Sequence, residues 1–204
     1  MNNVYLALLM VLLAFCQCSG DENKVDINNS TGPDVVVKNE LDSNLVAVNP
    51  TISIFESAAS SYKIMFPGKP EHITEYVPME EGDINVSMDT YSPNDSIIYA
   101  VKFDEFPLSF FEDIDEEFKG EVVQNALETT KENYGLDTQV FYEERIDSNM
   151  LGCYYQGHNN KLFVTCLYTL NANKLYQVVL TSEGNFLSKK VIDEFFNSFE
   201  IVNS

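Results

Sequence analysis

The residues whose types could do chemistry are few: four cysteines, two histidines and one dense acidic run. Cys16 and Cys18 stand one residue apart in "FCQCSGDEN" (15–23). A structural zinc site needs four ligands, and no histidine or further cysteine lies near them. A disulfide between the two would close a very tight ring and constrain almost nothing. The acidic run "EDIDEE" (112–117) lacks the alternating spacing and the glycine of a calcium loop. Acid at the start of a helix is ordinary dipole pairing. His72 and His158 each fall in or beside an expected turn, where exposure is the simpler reading than ligation. Arg145, the one arginine, is expected to pair with a neighbouring carboxylate, which is worth little if exposed. No HExxH, GxSxG or Walker loop occurs. The expectation is a chain with no catalytic set, no metal and no cofactor.

Composition narrows the partners. The chain has 204 residues and is 45% hydrophobic, enough for one substantial core plus accessories. Twelve basic residues against 32 acidic ones leave a net charge of −20. Such a surface repels nucleic acid and anionic lipid, so nucleic-acid binding is excluded as a function class.

Residues 4–15, "VYLALLMVLLAF", are uninterruptedly apolar. The run matches a signal-peptide core and falls short of the roughly 20 residues that cross a bilayer. A buried core helix is the alternative, but the polar stretch that follows gives it nothing to pack against. The n-region "MNN" departs from the usual pattern in carrying no Lys or Arg. The two cysteines then read as the end of a lipoprotein signal, in which the cysteine becomes the lipidated N-terminus. Cys18, followed by "SGDEN", resembles the Cys-Ser-acidic start of Bacteroidetes-type lipoproteins, where acid after the cysteine favours surface display. Cys16 is the runner-up, with Leu13 and Ala14 well placed but bulky Phe15 before it. Cleavage after Gly20 without lipidation is the third reading. The expected organisation is a signal peptide over 1–17, a flexible acidic tether over 18–50 and a folded domain over 51–204. The tether holds no aromatic residue and no sustained period. As a coil it spans on the order of 30 Å, lifting the domain off a membrane.

The domain is dense in strand signals. "SYKIMFP" (61–67) ends at a proline, and "PGKP" (67–70) is a turn. "DINVSMDTY" (83–91) alternates, with Ile84, Val86 and Met88 on one face, and "IIYAVKF" (97–103) follows after the turn "SPND". The period then changes. From Ser109, with Glu112 as a capping-box partner, Phe118, Val122, Val123, Ala126, Leu127, Thr130 and Tyr134 fall at helical spacing up to Gly135. Strands return at 138–146, 151–157, 162–170 and 174–182. A last helix from about Ser188 carries Val191, Ile192, Phe195, Phe196 and Phe199 on one side. This predicts an α+β fold, a mostly antiparallel sheet flanked by two helices. Tyr154, Tyr155, Tyr168 and Tyr176 could line a ligand cleft beside the sheet, though core packing accounts for them more cheaply.

The remaining cysteines fall on two of these strands. If the 151–157 and 162–170 strands turn through "HNNK" with Gly157 opposite Leu162, Cys153 stands directly opposite Cys166. Opposed residues lie ~4.5–5.5 Å apart at Cβ, close enough for a disulfide in an oxidising compartment. Two buried free thiols are the alternative, and a one-residue slip would send them to opposite faces.

The order "YKIMFPGKPE", "VKFDEFP", an amphipathic helix, "NKLYQVVL" and "IDEFFNSFEIV" resembles the PsbP/Mog1-like group over about residues 51–202. Lys174 stands where an arginine often precedes the Leu-Tyr pair. The resemblance implies a non-catalytic accessory, binding or assembly module of unknown ligand, and its matched positions are core and turns, so no site residue transfers. The functional expectation is therefore a non-enzymatic outer-membrane lipoprotein of the cell envelope. Cys18 is its lipidation site and Cys153–Cys166 its disulfide. Its partners are the membrane, through an N-terminal lipid, and an envelope protein. Alternatives are a soluble secreted carrier of a small apolar ligand and an enzyme of unrecognised type.

Overall fold

A computed structural model describes residues 53–57, 60–78, 82–112, 114–147 and 150–202. The signal segment, Cys16, Cys18 and the tether lie outside the described residues, as does the side chain of Arg145. Among the described residues, ten strands and two α-helices follow in the order β1 (Ser53–Ser57), β2 (Tyr62–Phe66), β3 (Glu71–Val77), β4 (Ile84–Asn94), β5 (Ile97–Glu105), α1 (Glu116–Tyr134), β6 (Thr138–Asp147), β7 (Met150–His158), β8 (Leu162–Asn171), β9 (Lys174–Glu183), α2 (Lys189–Phe196) and β10 (Glu200–Ile201). Seven strands form one antiparallel sheet, β3-β4-β5-β9-β8-β7-β6, and β1-β2-β10 form a second, smaller one. The fold is α+β.

Period-two alternation divides the large sheet's side chains between two cores. On one face Ile84, Val86, Cys153, Tyr155, Val164, Cys166, Tyr168, Leu170 and Leu175 meet Val122, Val123, Ala126 and Leu127 of α1. On the other, Tyr99, Val101, Phe103, Leu167, Tyr176, Val178 and Leu180 meet Tyr62, Ile64 and Phe66 of the small sheet and Ile192, Phe195 and Phe196 of α2. Phe195 sits at the centre of an aromatic set, its ring centroid 5.0 Å from Tyr99, 5.4 Å from Phe196 and 5.7 Å from Phe66. With both faces covered, β8 and β9 read as near-continuous apolar runs rather than clean alternation.

The first helix starts later than its periodicity predicts. Ser109 belongs to a short 3-10 turn (Leu108–Phe110) behind Pro107, and Phe106 and Phe110 turn inward to stack at 5.6 Å. Asp115 is the N-cap instead, its carboxylate accepting from the Phe118 amide at 2.9 Å, and Glu116 and Glu117 occupy the first turn. At the far end Gly135, at φ 59°, takes the left-handed C-cap. Ser188 caps α2 as its position suggested, accepting from Val191.

The β7–β8 hairpin also departs from its expected register. His158 pairs with Phe163, so Cys153 stands opposite Tyr168 and Cys166 opposite Tyr155. Asn159 is the physical reason. Its Oδ1 accepts from the amides of Lys161 and Leu162, both at 2.8 Å, while its Nδ2 donates to the Tyr134 carbonyl at 2.7 Å. That side chain closes the turn one residue further along each strand and ties it to the end of α1. The offset is two residues, so both cysteines keep the helix-facing side but become diagonal neighbours. Diagonal neighbours lie ~7–8 Å apart, somewhat less at Cβ, against a Cβ separation of ~3.5–4.5 Å in a disulfide. Both are buried free thiols, and the direct opposition on which the disulfide expectation rested is corrected.

Two glycines hold this corner open. A Cβ on Gly157 would lie 2.0 Å from the Tyr155 hydroxyl, because that ring folds over the glycine two residues along its own strand. A Cβ on Gly152 would meet the Tyr168 carbonyl oxygen at 2.2 Å. Gly157→Ala therefore forces the Tyr155 ring out of the α1-side core. The expected cost is about 1–3 kcal/mol, the range for overpacking a core, read as a lower urea midpoint with an unchanged slope.

Candidate functional site

The sequence-marked residues do not converge. His72 is on β3, not in a turn, and pairs with Asp89 across the ladder. His158 ends β7, its ring stacked on Phe163 at 4.9 Å. Tyr155, Tyr168 and Tyr176 are fully buried in the two cores rather than lining a cleft. The Tyr168 hydroxyl donates to Thr130 Oγ1 at 2.5 Å, whereas the buried Tyr155 and Tyr176 hydroxyls have no hydrogen-bond partner among the described residues. Among the described residues no group of three His, Cys, Asp or Glu side chains could hold a metal ion, and no helix is long and apolar enough to cross a membrane.

Two buried carboxylates escaped the sequence reading, because both sit on alternating strands where the polar phase reads as solvent-facing. Asp89, 1% exposed, accepts from the Tyr62 hydroxyl at 2.5 Å and bonds His72 Nδ1 at 2.8 Å; His72 Nε2 in turn meets Thr74 Oγ1 at 2.9 Å. Beside it the Ser60 and Ser87 hydroxyls bond at 2.8 Å. This network joins the small sheet to the large one, and its function is cohesion: Tyr62 brings an apolar ring to the interface and spends its hydroxyl on the carboxylate. Asp104, also 1% exposed, accepts through Oδ2 from Gln177 at 2.7 Å and Lys102 at 3.0 Å.

A concave site occurs elsewhere, between α1 and the β6–β7 edge. Gly120, Glu121, Val123 and Gln124 of the helix face Tyr142 and Glu144 of β6 and Leu151, Gly152 and Cys153 of β7, around a cleft of about 320 Å³. That is the lower end of small-molecule sites. Val123, Leu151 and the Cys153 thiol supply apolar surface, while Glu121, Gln124, Tyr142 and Glu144 supply polar groups. The Tyr142 hydroxyl donates loosely, at 3.4 Å, to both Gln124 Oε1 and Glu144 Oε1.

Gly120 carries the most information. It lies in the first half of α1, where glycine costs about 1 kcal/mol relative to alanine. Packing does not require it, since a Cβ there would meet only Leu151 Cδ2, at an ordinary 3.8 Å. A side chain at 120 would instead stand in the cleft. The helix forgoes stability at the one turn that faces this space.

Burial first, and then the Glu144 charge, push the Cys153 thiol up to about 12, so it stays protonated near neutrality. Burial likewise raises Tyr142, with Cys153 and Glu144 adding to it. Cys166 lies higher still, again mainly through burial. No protein-family model matches the chain, and no curated protein matches it.

The raised thiol and phenol values set an alkaline limit on stability. Cys153 moves from its ordinary 9.0 to about 12, and burial moves Tyr176 from 10.0 to about 12. The unfolded chain therefore loses these protons first, and the folded state is disfavoured as it does so. Their contribution is full below pH 9 and declines as pH rises from 9 toward 12. Urea unfolding at pH 8, 10 and 11 should show a falling midpoint, and Cys153→Ala should flatten part of that fall. A midpoint independent of pH across this window would show the groups to be unshifted.

Proposed function

We propose that this chain is a non-catalytic, lipid-anchored binding module of the cell envelope, and that the cleft between α1 and β6–β7 holds its ligand. The observation that carries the reading is Gly120, a helix glycine at the cleft wall where a Cβ would meet only Leu151 at an ordinary distance. The lining defines the ligand class. Apolar surface from Val123 and Leu151 beside the carboxylates of Glu121 and Glu144 suits a small molecule with a hydrophobic body and a cationic or hydrogen-donating head. A net charge of −20 works in the same direction by repelling anions. The PsbP/Mog1-like resemblance supports a non-catalytic module, since an antiparallel sheet with two helices accords with it. A secreted soluble carrier is the second reading, favoured by the same cleft if the N-terminus carries no lipid.

The chain contains no tryptophan, so Gln124→Trp places a single fluorophore on the cleft rim at an exposed position. Benzylamine should then give a saturable change in emission at millimolar concentration, and benzoate should give none. Gly120→Leu in the same background should abolish the response while leaving the fold intact by circular dichroism. An unsaturable response, or one untouched by Gly120→Leu, would remove the cleft from the proposal.

Anchoring is tested separately. Intact mass of the membrane-extracted protein should show an acylated N-terminus, and Cys18→Ser should move the protein to the soluble fraction. Wild-type protein that is already soluble and unacylated would favour the carrier reading.

A further inference from the structure

The large sheet ends in two edge strands, β6 and β3, and they are finished differently. β6 carries a bulge at Val140, where the register shifts between Gln139 and Phe141. Such irregularities protect an edge from pairing with other strands. β3 has none: seven residues, Glu71 to Val77, run in unbroken register with β4. Its residues 71–76 are all exposed, including Ile73 at 45% and Tyr76 at 71%. It contains no lysine and no proline, and its charged side chains, Glu71 and Glu75, guard it only against other acidic strands. Among the described residues, no backbone hydrogen bond links β3 to anything outside its ladder with β4. One side of this strand therefore presents free N–H and C=O groups in an extended line.

The charge pattern says what such a strand accepts. Glu71, Ile73 and Glu75 share one face of β3, and His72, Thr74 and Tyr76 share the other. A second copy of this chain is a poor occupant. In the full seven-residue antiparallel pairing about Thr74, Glu75 would lie diagonal to both Glu71 and Glu75 of the other copy, and each copy brings a net charge of −20. Lysine or arginine opposite Glu71 and Glu75, with an apolar residue opposite Ile73, removes that repulsion and covers the exposed isoleucine. We propose that β3 is a docking edge for an extended segment of a partner protein with alternating basic and apolar residues, added as an eighth antiparallel strand. The site lies at the opposite edge of the sheet from the α1–β6–β7 cleft and is independent of it.

The probe is the synthetic peptide Val-Thr-Lys-Thr-Val-Thr-Lys, which in antiparallel pairing sets its lysines opposite Glu75 and Glu71. Its binding to the full chain should bring slowed amide exchange along residues 71–77. The double variant Glu71→Lys/Glu75→Lys should bind it roughly tenfold or more weakly and should gain affinity for Val-Thr-Glu-Thr-Val-Thr-Glu. Because both glutamates are exposed, the variant is expected to fold, and its circular dichroism checks this. Equal binding by wild type and variant would assign the attraction to overall acidity and overturn the proposal. Protection outside β3, no binding, or stronger self-association than peptide binding would overturn it as well. The benzylamine response of the cleft should be unchanged in the charge-reversed variant, so failure at one site is read separately from failure at the other.

Discussion

The register of the β5–β9–β8 ladder is the constraint on which the rest of the structure depends. These strands lie at the centre of the large sheet, and β8 and β9 are buried on both faces. On β9, Tyr176, Val178 and Leu180 face the small sheet and α2, while Leu175 and Val179 face the α1 side. A slip of one residue would exchange the two sets. The Tyr176 ring, which packs against Tyr62 and Phe199, would then meet the helix, and Gln177, which donates to Asp104, would lose its acceptor. Two cores thus depend on one ladder. Neither core could stay filled after such a slip, so the penalty falls on both at once.

Around that ladder, polar groups are placed where they join layers rather than where they react. Asp89 ties Tyr62 of the small sheet to His72 of the edge strand. Thr130 of α1 accepts from Tyr168 of β8. Asn159 fastens the β7–β8 turn to the end of α1, and the Asn173 side chain donates to the Phe106 carbonyl beneath the 3-10 turn. Each of these bonds spans two elements that hydrophobic contact alone would leave free to slide, since burial has no direction. Burial raises the Cys153 and Cys166 thiols and the Tyr168 phenol further above their ordinary ranges, so they stay protonated well into alkaline pH.

The two margins of the sheet are shaped differently from its covered centre. At the β6–β7 edge the helix recedes at Gly120 and opens a small cleft with an apolar floor and an acidic rim. At the other edge β3 stands unpaired along one side. Both features adjoin a sheet whose centre is packed on both faces, and a binding surface held by a packed core loses little entropy when it is occupied.

Much of the fold was legible because hydrophobic period is a local property. The β4–β5 hairpin, the four later strands, the apolar stripe of α1, its Gly135 cap and the Ser188 start of α2 each follow from a few neighbouring residues. The α+β class follows from their order. What the local pattern could not supply was set by partners far along the chain. The start of α1 moved to Asp115 because Phe106 and Phe110 found a core to enter. The β7–β8 register moved by two because Asn159 found the Tyr134 carbonyl of α1, and the disulfide geometry went with it. β3 and the two-residue β10 carry too weak a pattern to be read alone, and exist because β4 and β2 offer them a ladder. Asp89 and Asp104 look solvent-facing by alternation and are buried only because the sheet is covered on both sides. The cleft is the extreme case: its lining comes from three elements, and only their packing decides that Gly120 is set beside Leu151 at its wall.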